Sequence, residues 1–193
     1  MTYDWKALAI LLAALFAVST LGRFLVFRVP ELKSLRDKNT ELDVKRSAEL
    51  KEPWVIESGK KVGAVLNTVF ALGVLPFLMT LQPVPAWRYA VDVIAILMIY
   101  DFYYYLTHRF AFHGVGWLKR VHGVHHQALD PVAIDSFYVH PVETAIGIML
   151  FFGGIVTWAL FLGPIHVSSI ILCYVAFVYI NTFNHIHFDL NKF

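Results

Sequence analysis

The chain has 193 residues, of which 58% are apolar and only 16% charged, with a formal net charge of +2 and a mean hydropathy of +0.61. That length allows one domain, and that composition excludes an ordinary soluble globule and points to a multi-span membrane protein. The cations flank apolar runs and are interleaved with acids, which excludes a nucleic-acid-binding face, and a lone Cys173 excludes an intrachain disulfide.

Residues 7–27 form the first predicted span, long enough for a bilayer core that takes about 20 residues of helix. Arg23 interrupts the run only near its end, where a long cation snorkels to the interface. Asp4 precedes the run and the bases follow it, an order that argues against a signal peptide. Residues 28–61 then hold nine of the sixteen Lys and Arg residues. They read as one or two short surface helices with Trp54 at the headgroup level, a solvated linker without chemistry.

Residues 62–81 form the second predicted span, with a kink at Pro76, and residues 89–110 the third, delivering His108 to the membrane surface. A fourth runs over 142–162 and a fifth over 168–183, after a GPIHVSS turn. The expected fold is therefore an all-α, multi-pass integral membrane helical bundle of about four to five spans. Residues 1–61 would be an N-terminal span and charged linker, and residues 62–193 the main membrane domain. The positive-inside rule places 28–61 in the cytoplasm, and alternation returns the His108–His140 loop and the stretch with His185 and His187 to that face. His166 falls on the other face, as an interfacial residue.

Chemistry concentrates in Tyr100–His126, which holds five of the nine histidines as His108-x4-His113 and His122-x2-His125-His126. Neutral imidazole is the commonest side-chain ligand for iron, copper and zinc, and a metal centre is the simplest reason to gather so many in an apolar chain. On a helix, His122 shares a face with His125 or His126. His108 and His113, five apart, diverge by about 140° on an ideal helix, so both reach one site only if the helix ends between or just after them. Gly114 and Gly116 suit such an end.

Five polar positions surround this cluster. Asp101, two turns before His108 within a span, is a candidate to support a ligating imidazole. His140 opens HPVE at the start of the fourth helix, with Pro141 at the first position and Glu143 in the first turn, and is a candidate ligand or supporting group. Glu143 has helix-dipole compensation as its plainer role. His185 shares a face with Asn181 and is a candidate ligand; His187 joins it only across a break in the helix.

HxxxxH followed by HxxHH, with Tyr and Asp upstream on a span and an NH-containing run two helices later, resembles the fatty acid hydroxylase and sterol desaturase superfamily over roughly residues 90–190. The resemblance implies a multi-span membrane oxidoreductase whose histidines hold a di-iron centre and which uses O2 to hydroxylate or desaturate a lipid. It implies His108, His113, His122, His125, His126 and His185 as ligands, with zinc a possible substitute metal. The partners implied are a membrane lipid, O2 and an electron donor such as cytochrome b5, a ferredoxin or a similar reductase. The membrane would be a bacterial inner membrane or the endoplasmic reticulum. The family carries a final HxxHH box beyond the NH segment, and the sequence stops at Phe193 before one, so a C-terminally incomplete family domain is expected. The rival reading is a non-catalytic or truncated membrane protein that holds one structural zinc or is completed by a partner chain. A haem with two axial histidines would leave most of the cluster unexplained.

Overall fold

The computed structural model describes residues 2–127 and 131–183. Eight α-helices carry the described fold: α1 Trp5–Arg28, α2 Pro30–Glu49, α3 Trp54–Gly73, α4 Leu75–Leu78, α5 Ala86–Leu106, α6 Trp117–His122, α7 Pro141–Leu162 and α8 Val167–Phe183. Three are long and apolar enough to cross a membrane: α1, α5 with its extension to Phe112, and α7. Of the other two expected spans, α8 is a shorter apolar helix of 17 residues, and α3 opens on the charged residues Glu57, Lys60 and Lys61.

The second expected span differs most from its sequence reading. Instead of a kinked helix over 62–81, α3 starts eight residues earlier, at Trp54, and stops at Gly73. Proline has no N–H to give to the carbonyl four residues back, which here belongs to Leu72. The hydroxyl of Tyr3 donates to that Leu72 oxygen at 3.1 Å, and the Pro76 carbonyl accepts from Asp4 N–H at 2.9 Å. The α3–α4 break is thus tied to the entry of α1, where the Asp4 side chain caps the helix by accepting from Ala7 N–H at 2.9 Å.

Two ends of the bundle can be told apart. At one, Met79–Thr80 pairs in parallel with Ile165–His166, joining the turns that precede α5 and α8. These are the turns that the alternation of spans assigns to one face. His166 lies here, its ring against Tyr89 and its Nδ1 accepting from Ser168 N–H, remote from the other described histidines. At the opposite end, α5 finishes, α7 begins, and α2 lies across the connection between them.

Helix α7 is the central element, packed on both α3 and α5. Its small residues let backbones approach closely: a Cβ on Gly154 would stand 3.1 Å from the Ile96 carbonyl of α5, and one on Gly59 of α3 would stand 3.3 Å from Thr144. Around these contacts Ile96, Phe151, Ile155, Ile165 and Ile170 are buried almost completely. The core therefore fixes the end of α5, which leads into the first histidine box, relative to the start of α7, which carries Glu143.

Candidate metal centre

The first box is built by a change of helix type. After Leu106 the helix widens into a π-helical turn over Thr107–Phe112 and ends there, with His113 as its C-cap. His113 N–H donates to the His108 carbonyl at 3.0 Å, an i→i+5 bond. Residues five apart are stacked by that wider turn, which is how both imidazoles face one site, and such turns recur at functional positions. The chain leaves the turn through Gly114, where a Cβ would come within 2.2 Å of the Phe110 carbonyl, and Gly116, at φ +130°. No L-side chain fits the first without moving backbone, and few adopt the second.

The second box comes from α6 and the 3-10 turn His125–Gln127 that follows it. Between its histidines, Val124 packs with Val55 of α3 and Tyr138 in a small buried cluster. The ring of His122 is 2% exposed and stacks on Phe112 of the first box, with 5.0 Å between centroids and 11° between planes. Apolar packing thus locks the two boxes together before any polar contact is counted.

One nitrogen from each of His108, His113, His122 and His126 lies within 4.8 Å of all the others. An ion held by imidazole at about 2.1 Å puts its ligand nitrogens within about 4.2 Å of one another, so a small closure would bring the four onto one ion. His122 and His126 are nearest, with their Nε2 atoms 2.9 Å apart. Burial, then the neighbouring His126, His108, His125 and His113, push the His122 imidazole down to about 4. It is therefore neutral at pH 7, as a ligand must be.

The remaining candidates fall in different places. His125 is half-buried, with its ring centroid 5.9 Å from those of both His122 and His126, outside the set of four. His140 is the N-cap of α7: its Nδ1 accepts from Val142 N–H at 3.2 Å and its ring meets Trp54 edge-on. Asp101 is exposed on α5, in a groove that also bears Tyr104, Phe177 and Asn181. His185 and His187 lie outside the described residues. Among the described residues the carboxylate that hydrogen-bonds a cluster imidazole is Glu143, not Asp101: its Oε1 stands 2.7 Å from His122 Nδ1. Sequence reasoning left Glu143 as a helix-end charge because 21 residues separate it from His122. Its only signal was its place in HPVE.

The charged segment also does more than separate spans. On α2, Arg46 Nε donates to both oxygens of the buried Asp135, at 3.0 and 3.2 Å, and Asp43 accepts from Ile134 N–H at 2.8 Å. Asp135 also accepts from Val132 N–H at 3.0 Å, so α2 clamps the loop that leads from the second box into α7. Asp135→Ala is expected to destabilise the protein by about 1–3 kcal/mol, the cost of leaving donors to a charged acceptor unmet. Thermal unfolding in detergent measures it, and an unchanged midpoint would remove the clamp from the account.

Residues 93–193, just over half of the chain, match the profile of the fatty acid hydroxylase family. The chain belongs to that family. A Dictyostelium discoideum protein provisionally named a methylsterol monooxygenase is 40% identical over 65 residues, 33% of this chain and 24% of that protein. The human fatty acid hydroxylase domain-containing protein 2 is 28% identical over 110 residues, 56% of this chain and 32% of the relative. Very-long-chain aldehyde decarbonylase GL1-11 of Oryza sativa subsp. indica is 39% identical over 62 residues, 32% and 23% of the two chains. The matches thus span about a quarter to a third of these relatives' lengths. No solved structure matches the chain.

Proposed function

We propose that this fatty acid hydroxylase family member is a membrane-bound, O2-dependent oxidoreductase that hydroxylates or desaturates a lipid at a histidine-held di-iron centre. The observation that carries the reading is the convergence of His108, His113, His122 and His126 from two boxes onto one point. Four neutral nitrogen donors fit iron, and they fit zinc and copper too. His125, His185 and His187 are the further histidines proposed for a second ion. The relatives' printed names, a methylsterol monooxygenase and an aldehyde decarbonylase, support lipid chemistry.

Bound iron would supply the oxidising power for an unactivated C–H bond that side chains lack. The chain's own residues would do the rest. The cluster imidazoles hold their lone pairs toward one point, and Phe112 shields the buried face of His122. Beside them, Leu97, Met98, Tyr100, Phe102 and Phe177 line a groove of about 640 Å3 between α5 and α8. That volume is in the range of small-molecule sites and its walls suit a hydrocarbon. The groove reaches the centre through Tyr104, whose ring stacks on His108 at 5.7 Å, and Asp101 is proposed to contact the substrate's polar end there. The histidine end of the bundle, shared with α2 and its Lys33, Arg36, Lys38, Lys45 and Arg46, is proposed to face the cytoplasm, where an electron donor would approach.

Metal analysis of the purified chain in detergent, followed by product screening with fatty acyl and sterol lipids, tests the reading. About two irons per chain and an oxidised lipid product that requires O2 are expected. Zinc alone, with no O2-dependent product, would favour a non-catalytic chain with a structural metal.

A further inference from the structure

Resting on the metal-centre reading, we infer that Glu143 is the positioning residue that fixes His122 as its Nδ1–H tautomer and so turns the Nε2 lone pair toward the cluster. Glu143 comes from the first turn of α7, an element separate from both boxes. Its side chain is 4% exposed, and its Oε1 is 2.7 Å from His122 Nδ1. His122 turns Nε2, not Nδ1, toward the other cluster nitrogens, and a ligating nitrogen carries no proton. The ring proton therefore sits on Nδ1 and Oε1 accepts it, as an oxygen of either the ionised or the neutral carboxyl can. A neutral imidazole carries one N–H, which leaves Nε2 bare.

That bare nitrogen is the one directed into the cluster, 2.9 Å from His126 Nε2. Without an ion, His126 donates to it through Nε2–H; to hold a metal at that atom His126 would pass this proton by way of solvent to its Nδ1. The opposite tautomer would place the ring proton at the centre, where it would block a metal, and turn the Nδ1 lone pair to Oε1.

Two further observations separate this role from helix-end compensation. The other oxygen, Oε2, is buried and accepts no hydrogen bond among the described residues, so the α7 N-terminal N–H groups do not engage it. Of those groups, Val142 N–H donates to the His140 ring and Thr144 N–H to the His140 carbonyl. A carboxylate buried this deeply is costly unless it has a hydrogen-bond donor, and here that donor is His122.

The experiment titrates Co2+ alone into the metal-free full chain in detergent micelles, reading the ligand-field absorption against a competing chelator, for wild type, Glu143→Ala and Glu143→Gln. Glu143→Ala is expected to weaken Co2+ binding about 10–100-fold, the range for losing the outer partner of a ligating histidine, with far-UV circular dichroism unchanged. Glu143→Gln should restore most of the affinity, because its amide oxygen still accepts from Nδ1–H. Affinity in the alanine variant within twofold of wild type would overturn the inference, and so would equal losses in both variants.

A second readout needs no metal. 15N spectra of ring-labelled histidine, assigned with a His122→Gln control, should show the proton on Nδ1 in wild type and moved to Nε2 in Glu143→Ala. A wild-type His122 protonated on Nε2 would overturn the inference whatever cobalt does. If the wild type takes no cobalt yet keeps Nδ1–H, the metal-centre reading fails and the tautomer assignment stands.

Discussion

If the proposed centre and activity hold, His122→Ala is expected to strip the chain of iron and to lower lipid oxidation by more than about 100-fold, beyond the range seen when only an outer partner of a ligand is lost. The expectation follows from how much converges on that ring. It is buried, it stacks on Phe112 of the other box, it holds Glu143 through Nδ1, and its Nε2 is 2.9 Å from the corresponding atom of His126. Removing it deletes a ligand and also the only described link between the cluster and α7 through Glu143. His140 provides the contrast, since it caps α7 outside the four-nitrogen set. His140→Asn keeps an acceptor at the N-cap, where even alanine costs only about 1 kcal/mol, and should leave metal content near that of wild type. Iron content of the two variants, purified side by side, decides the matter. Equal loss in both would bring His140 into the centre.

The convergence of His108, His113, His122 and His126 was legible in the sequence because their spacing is that of side chains gathered at one point. The helix start at His140-Pro141 was legible too, because a proline at the first position of a helix is a local signal. What spacing could not carry was the device that makes His108 and His113 converge. An ideal helix sends residues five apart in different directions, and nothing in Thr107–Phe112 announces the i→i+5 turn that stacks them. Contacts between distant elements were hidden for a different reason. Arg46 and Asp135 are 89 residues apart and each looks like an ordinary surface charge until the fold brings α2 over the loop. Glu143 was seen, but its plainer role could not be set aside without the position of the His122 ring. The α3 boundary was misplaced because apolar content was followed as far as residue 81. The structure instead starts the helix among charges at Trp54 and ends it where Pro76 would leave a carbonyl open.

At the opposite end of the bundle, Asp92→Ala is expected to give the largest loss of stability. Asp92 is fully buried on α5 and accepts from Trp158 Nε1 of α7 at 2.8 Å and from Ser169 Oγ of α8 at 3.2 Å. Arg88, one turn earlier, stands 3.4 Å from the same carboxylate and donates to the Leu162 and Pro164 carbonyls at 3.0 and 3.2 Å, closing the end of α7. One carboxylate thus joins three helices, and alanine leaves a cation and two neutral donors without it. Hydrogen bonds in membrane bundles average only about 0.6 kcal/mol each, which sets a floor of about 2 kcal/mol for the three. Breaking a buried ion pair by removing one partner costs about 3–5 kcal/mol. At roughly 2–4 °C per kcal/mol for a chain of this size, the midpoint should fall by roughly 6–20 °C if the second figure applies. Asp92→Asn keeps one acceptor, Oδ1 for Trp158, and presents an NH2 that Ser169 Oγ can accept from, and should lose about half as much. Thermal unfolding in detergent, followed by tryptophan fluorescence, compares the two, and an alanine variant no less stable than the asparagine one would show that the hydrogen bonds to Trp158 and Ser169 do not hold the helices. Sixteen residues of helix, about 24 Å, separate Asp92 from His108, far enough for the two sites to act independently. Below its lowered midpoint the Asp92→Ala chain should therefore bind metal as wild type does, whereas His122→Ala should lose its metal and leave the Asp92 node intact.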